Sequence, residues 1–219
     1  MIPVKICGIT RLEDALHAVE LGASAIGFVF YPKSARCIVA DDASMISAQL
    51  PAGVARIGVF VNPDPDSLHV TAEMAGLTHV QLHGDEPPEL EEFVSLPVIK
   101  ALRPPYSYTT DTLTKFGAVA FLIDGGREQE YGGTGQLADW KFAKSIRENF
   151  VTILAGGISS QNVAQAVTAA QPDALDLSSS VEERPGIKDH RKLRRFFETV
   201  RELEYDGSRL EKGFTSLSL

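Results

Sequence analysis

The sequence predicts an α/β fold, a single-domain (β/α)8 or TIM barrel, because eight short apolar runs alternate with helical segments. Runs that are nearly all Val, Ile, Leu, Phe and Ala are typical of strands covered on both faces, and parallel strands need a crossover between them. Eight repeated units favour the closed barrel over an open doubly wound sheet, which stays open as an alternative. The runs span residues 3–8, 25–30, 55–62, 79–84, 97–103, 118–125, 151–157 and 174–179.

Capping residues mark the helices that this alternation requires. Thr10 precedes a helical segment and is followed three positions later by Glu13, a spacing that predicts a capping box. Gly22 predicts the C-terminal end of the same helix. Further helices are predicted to begin after Asp85, Asp139 and Ser159 and to span residues 188–204.

No linker or low-complexity segment divides the chain. We therefore expect one catalytic barrel domain over residues 1–204. Residues 205–219 have weak periodicity, so we expect them to form a C-terminal tail that is surface-attached or frayed.

Composition excludes several classes of protein. The 219 residues are 44% apolar and 23% charged, which is ordinary for a globular protein and unlike a disordered one. The 21 basic and 29 acidic residues give a net charge of −8, and an acidic surface repels nucleic acid. The apolar stretches are too short to cross a membrane, and the start, MIPVKICGIT, lacks the pattern of a signal peptide.

The two cysteines, Cys7 and Cys37, indicate a reducing compartment, and we expect a cytoplasmic protein. They form no C-x-x-C pair, so no structural zinc site is predicted. Cys37 follows Arg36 in a loop, and we interpret it as structural.

The carboxyl ends of barrel strands form the active sites of (β/α)8 enzymes, which directs attention to Cys7 and Asp124. Cys7 ends the first run, and the predicted helix start near Thr10 is expected to lower the pKa of its thiol. A buried, inert cysteine is the alternative. Asp124 ends the sixth run and is either an inward catalytic carboxyl or a cap for the glycine-rich loop over 125–135, which is suited to close over a ligand.

Two turns rich in small residues predict a phosphate site. Gly156 and Gly157 follow the seventh run, and Ser178 and Ser179 end the eighth. Glycine permits close approach of the backbone, and amides at a helix start favour an anion. Barrel enzymes commonly hold a phosphate between these two loops.

Arg36 and a pair of histidines complete the candidates. Arg36 lies in the loop after the second run, where an arginine can grip a carboxylate with two hydrogen bonds. His79 and His83 are four residues apart on one strand and share a face. Without a third ligand we favour polar or structural roles for both over a metal site.

Strings along nearly the whole chain resemble the phosphoribosylanthranilate isomerase family of tryptophan biosynthesis. The resemblance implies a (β/α)8 isomerase that converts N-(5′-phosphoribosyl)anthranilate into 1-(2-carboxyphenylamino)-1-deoxyribulose 5-phosphate by an Amadori rearrangement. The matching strings are KICGIT (5–10), GFVFYPKSAR (27–36), GVFVN (58–62), VQLHGDE (80–86), LIDG (122–125), GGTGQ (132–136), LAGGIS (154–159) and LSSSVEERPGIKD (177–189).

The resemblance also implies roles for single residues. Cys7 is the general base, Asp124 the general acid, and Arg36 pairs with the anthranilate carboxylate. His83 is expected among the substrate-binding residues. The phosphate is expected to bind at Gly156, Gly157, Ser178 and Ser179. The partner is a phosphorylated small molecule; no cofactor and no metal are needed, and a monomer or a homodimer is compatible.

The chain departs from the family pattern at three positions. The family often has proline at Ala35, glycine at Ser180 and phenylalanine at Ala138. Ser180 would loosen the phosphate turn if the turn needs a positive φ angle. Two alternatives remain: another sugar-phosphate barrel enzyme, against which Cys7 and Arg36 argue, and a non-catalytic barrel that binds a phosphorylated metabolite.

Overall fold

The computed structural model describes residues 1–126, 137–205, 210 and 213–217. Eight parallel strands form a closed barrel in which each pairs with the next and β8 pairs with β1. This confirms the predicted α/β barrel, and every strand lies within its predicted run. The strands are β1 (Val4–Cys7), β2 (Ala25–Val29), β3 (Ala55–Phe60), β4 (His79–Leu82), β5 (Val98–Leu102), β6 (Ala120–Ile123), β7 (Thr152–Leu154) and β8 (Ala174–Leu177).

Helices connect the strands and cover the outside of the barrel. The main apolar core lies between the outer faces of the strands and the inner faces of the helices. Within the described residues, no helix has the length and apolarity to span a membrane. The α-helices are α1 (Leu12–Leu21), α2 (Ala40–Ser47), α3 (Pro65–Met74), α4 (Thr110–Leu113), α5 (Trp140–Arg147), α6 (Val163–Ala170) and α7 (His190–Arg201); 3-10 helices span Pro88–Phe93, Ser179–Val181 and Gly213–Ser216.

The predicted capping box at Thr10 is wrong. Helix α1 begins at Leu12 after an extended Arg11, and no side chain caps it. The Thr10 hydroxyl instead donates a hydrogen bond of 2.6 Å to the carbonyl of Gly186, far along the chain. The C-terminal end is as predicted, because Gly22 adopts a left-handed φ of 111° and its N–H bonds carbonyls of the last turn.

The start of the last helix is also later than predicted. Asp189 caps α7 by accepting hydrogen bonds from the first-turn N–H groups, so α7 begins at His190. Lys188 belongs to strand β10 (Ile187–Lys188), which pairs with β9 (Glu182–Arg184) in a small hairpin after β8. This hairpin places two buried charges, Glu182 and Lys188, at the edge of the barrel mouth.

Three other helix starts were predicted. The segment after Asp85 forms the 3-10 helix Pro88–Phe93 and not an α-helix. Asp139 caps α5 as expected, since its carboxylate accepts from two N–H groups of the first turn. Ser159 does not cap α6. The Asn162 side chain accepts from the Ser159 N–H and donates to the Gly157 carbonyl, which folds residues 157–162 into a turn and delays the helix to Val163.

The described part of the tail closes the amino-terminal end of the barrel. Leu210, Phe214 and Leu217 are buried against the apolar residues that fill this end, among them Ala25 and Ala55. A ring nitrogen of His79 lies 3.0 Å from the carbonyl of Leu217. His79 therefore has a structural partner at the end of the barrel opposite the carboxyl ends of the strands.

We predict that Phe214→Ala destabilises the protein without changing its chemistry. Phe214 is 0% exposed, and truncating a buried phenylalanine costs about 3–5 kcal/mol, an upper bound here because the tail can detach locally. Urea unfolding measures the loss. Phe93→Ala is the matched control, since Phe93 is 63% exposed. Equal stability of the two variants would show that the tail adds nothing to the barrel.

Candidate active site

One cleft opens at the carboxyl ends of the barrel strands. The cleft brings together all eight residues singled out from the sequence, although they span more than 170 positions of the chain. These residues are Cys7, Arg36, His83, Asp124, Gly156, Gly157, Ser178 and Ser179.

Cys7 lies at the base of the cleft beside a buried ion pair. The Lys5 ammonium is 3.0 Å from a carboxylate oxygen of Asp176, and the two residues are paired in register across β1 and β8. Gly27 on β2 makes room for them. A Cβ atom at Gly27 would lie 2.9 Å from both Cys7 Sγ and Lys5 Cε, too close for any larger residue.

The expected thiolate-favouring shift at Cys7 is wrong in direction. Burial raises the pKa of the Cys7 thiol, and the ammonium groups of Lys5 and Lys188 only partly oppose this. The sequence argument depended on a helix start near Thr10, but α1 begins at Leu12. The charges that act on the sulfur are those of Lys5 on β1 and Lys188 in the hairpin, which lower the pKa, and that of Asp176 on β8, which raises it.

Asp124 faces His83 across the cleft. Nε2 of His83 lies 3.1 Å from Oδ2 of Asp124, and Nδ1 lies 2.8 Å from the amide nitrogen of Gln81. The imidazole therefore bridges the amide of Gln81 and the carboxyl of Asp124. On the far side, the Tyr106 hydroxyl donates to the Asp124 carbonyl at 2.5 Å. His83 thus orients the carboxyl of Asp124.

Arg36 is held by a carboxylate of the hairpin. Its Nε and Nη2 bind both oxygens of Glu182 at 2.7–3.1 Å. The Arg36 side chain crosses Gly8 so closely that a Cβ atom there would meet Arg36 Cδ at 2.6 Å. The Lys188 ammonium also binds Glu182, at 2.8 Å, and reaches the carbonyl of Cys7 at 2.6 Å.

The two small-residue turns lie side by side in the cleft. Gly156 and Gly157 have φ angles of 68° and 65°, a conformation that glycine adopts without strain. Among the described residues, nothing accepts a hydrogen bond from either N–H group. The 3-10 helix Ser179–Val181 begins at the neighbouring turn. Ser180 has no positive φ angle, so the serine found there does not strain the turn.

An apolar wall lines the cleft beside the cysteine. Val29, Val59 and Tyr31 pack together with Cys7, and all four line the cleft. Such a wall suits a flat aromatic ring.

Sequence reasoning missed five residues that shape the site. Three of them stand two positions before a recognised strand-end residue, so the two-residue period of a strand places them on the same inward face. That period was the available signal. The other two belong to a hairpin that no local pattern predicts. The strand residues are Lys5, Gln81 and Asp176, and the hairpin residues are Glu182 and Lys188. Most of the glycine-rich loop expected to close over a ligand, with its GGTGQ string, lies outside the described residues.

Comparison with known proteins gives a consistent result. The family model described as N-(5'phosphoribosyl)anthranilate (PRA) isomerase matches residues 4–199. A protein named N-(5'-phosphoribosyl)anthranilate isomerase from Syntrophus aciditrophicus is 41% identical over 210 residues, 95% of this chain and 90% of its own length. The one from Thermotoga maritima is 43% identical over 206 residues, 93% of this chain and all of its own.

Solved structures agree with the sequence comparison. The phosphoribosyl anthranilate isomerase from Thermus thermophilus superimposes with a TM-score of 0.85 at 43% identity, over 93% of this chain and 100% of that one. A second isomerase structure holds reduced 1-(o-carboxyphenylamino)-1-deoxyribulose 5-phosphate and superimposes with a TM-score of 0.78 at 40% identity, over the same shares.

The raised pKa of Cys7 makes a prediction for its reactivity. Alkylation consumes the thiolate, so in a Cys37→Ala background the rate at Cys7 should rise about tenfold per pH unit up to at least about pH 9. The rate of iodoacetamide labelling, followed by mass spectrometry, measures it. The urea-unfolded protein is the control, because its free thiol should level off at lower pH. A plateau already below about pH 7 in the folded protein would show a thiolate and contradict the burial argument.

Proposed function

The chain belongs to the N-(5'-phosphoribosyl)anthranilate isomerase family, and from this premise we propose how its cleft performs the reaction. The substrate is N-(5′-phosphoribosyl)anthranilate and the product is 1-(2-carboxyphenylamino)-1-deoxyribulose 5-phosphate, a step of tryptophan biosynthesis. The rearrangement is an internal redox reaction: C1′ of the sugar is reduced while C2′ is oxidised to a ketone. It needs no external electron carrier.

Asp124 is the general acid of the first step. Its proton goes to the furanose ring oxygen, the bond from C1′ to that oxygen breaks, and the nitrogen lone pair forms a protonated Schiff base. The hydrogen bond with His83 supports this role, because it fixes the direction of the carboxyl and gives the imidazole a means to stabilise the carboxylate left behind.

Cys7 is the general base of the second step. The thiolate removes the proton from C2′, and the electron pair moves into the C1′–C2′ bond and neutralises the nitrogen. The resulting enolamine tautomerises to the ketone. Burial disfavours the thiolate, but the ammonium groups of Lys5 and Lys188 oppose this, and the cationic Schiff base adds a further positive charge beside the sulfur.

The rest of the cleft holds the two ends of the substrate. The N–H groups of Gly156 and Gly157 and the turn at Ser178 and Ser179 are suited to the phosphate. Arg36 is suited to the anthranilate carboxylate, and the apolar wall beside it to the aromatic ring. The single observation that carries the proposal is that Cys7, at the end of β1, and Asp124, directly after β6, line the same cleft as these residues.

A reducing, cytoplasmic setting fits this chemistry. Both cysteines are free thiols, and a base that must carry a thiolate would be lost on oxidation.

We predict that Cys7→Ser lowers kcat by at least about 100-fold and leaves KM nearly unchanged, because a hydroxyl does not ionise at neutral pH and proton transfer by a positioned group is worth about 10²–10⁴-fold. The loss of fluorescence of phosphoribosylanthranilate with purified protein measures the rate. Cys37→Ser, an exposed thiol, is the control and should retain full activity. Turnover within a few-fold of the parent would show that the base is another group.

We predict that Asp124→Asn also lowers kcat by about 10²–10⁴-fold, since an amide has the shape of the carboxyl but cannot protonate the ring oxygen. The amide oxygen still accepts from His83, so affinity for the reduced product analogue should hold. Kinetics and titration calorimetry measure the two quantities. The matched control is Asp42→Asn, at an exposed carboxylate of α2. If Asp124→Asn stays active, the acid lies elsewhere; if even the parent protein binds the analogue but leaves the substrate unchanged, the barrel is a binding protein.

A further inference from the structure

We propose that Glu182 is a positioning residue: it fixes the guanidinium of Arg36 so that the free edge of Arg36 selects substrates that carry a carboxylate on the aromatic ring. The inference rests on the proposed function, since it needs a substrate of that class in the cleft. Glu182 is only 5% exposed and does not line the cleft, so it acts through Arg36 and not by touching the substrate.

The geometry of the guanidinium decides which of its edges is left for a ligand. Arg36 uses Nε and Nη2, one side of its planar fork, for the two oxygens of Glu182. Within the described part of the chain, Nη1 has no hydrogen-bond acceptor. The edge formed by Nη1 and Nη2 can therefore bind a second carboxylate through two parallel hydrogen bonds.

Both Arg36 and Lys188 pair with the negative charge of Glu182, so Arg36 can still attract an anion. Burial would raise the pKa of Glu182, but hydrogen bonds and charge from Arg36 and Lys188 outweigh it and lower the pKa, so the side chain is an anion at neutral pH. Two cations thus share one carboxylate. Arg36 lines the same cleft as the apolar wall, so an aromatic carboxylate can contact both.

The same carboxylate ties the specificity residue to the catalytic strand. Lys188 bridges an oxygen of Glu182 and the carbonyl of Cys7. The N–H of Gly186, within the hairpin, donates to Glu182 at 3.2 Å, and Lys192 of α7 donates to the Glu182 carbonyl at 2.7 Å. Glu182 is therefore held from several sides. A residue that fixes the direction of another side chain needs such support.

The test compares two ligands that differ only in the carboxylate. One is reduced 1-(o-carboxyphenylamino)-1-deoxyribulose 5-phosphate, and the other is the same compound with an unsubstituted phenyl ring. We expect the parent protein to bind the first more tightly. Glu182→Gln has nearly the same shape but no charge, and it should lose at least about tenfold in affinity for the first ligand and little for the second. Glu183→Gln, the exposed neighbour, is the matched control and should bind both as the parent does.

Kinetics give a second readout that a merely structural role would not produce. Glu182→Gln should raise KM for phosphoribosylanthranilate more than it lowers kcat, because Cys7 and Asp124 stay in place. Glu182→Asp keeps the charge and should restore part of the preference for the carboxylated ligand. It also serves as the test variant if Glu182→Gln does not fold.

The outcomes separate this inference from the proposed function. If Glu182→Gln prefers the carboxylated ligand as strongly as the parent, Glu182 does not position Arg36, although the isomerase activity stands. The same holds if it loses affinity equally for both ligands. If the parent binds both ligands equally, Arg36 does not contact the carboxylate and the inference fails. A parent that binds neither ligand refutes the proposed function as well.

Discussion

The electrostatics of a buried thiol constrain the whole site. The thiolate of a cysteine at the base of the barrel is hard to form, because burial raises the pKa of the thiol. The ammonium of Lys5 counteracts this only if it remains charged, and it does so because Asp176 pairs with it at 3.0 Å. This ion pair exists only when β8 closes on β1, since the two residues are register partners across that seam. Closure of the barrel is thus a condition for the chemistry as well as for stability.

The same seam explains why charges are tolerated in the interior. Replacing a buried ion pair by apolar residues is often neutral or stabilising, whereas removing one partner is strongly destabilising. The pair formed by Lys5 and Asp176 is therefore weak evidence for stability and better evidence for a functional demand. Lys188 and Glu182 form a second such pair in the hairpin, where the ammonium of Lys188 also donates to the carbonyl of Cys7. In both pairs the ammonium lowers the pKa of the Cys7 thiol, whereas the carboxylate of Asp176 raises it.

The fold and the positions of the main candidates could be predicted from sequence, and the electrostatics could not. Nearly continuous apolar runs identify parallel strands, and the rule that sites form at strand ends led directly to Cys7 and Asp124. Thr10 shows the limit of local reasoning. Its hydroxyl was expected to cap α1, but it donates a hydrogen bond to the carbonyl of Gly186, 176 positions away. The pKa of Cys7 likewise depends on burial and on Lys188, which only the folded hairpin brings near. Contacts between residues so far apart in the sequence leave no pattern in the residues around either of them.

The barrel divides stability and chemistry between its two ends. At the amino-terminal end the filling is small and apolar, and Phe214 and Leu217 complete it. Their burial adds stability without placing demands on the cleft. At the other end, the N–H groups of Gly156 and Gly157 have no acceptor among the described residues, and charged side chains lie close together. Open donors of this kind suit the binding of an anion, and the packed opposite end supplies stability that an open cleft does not.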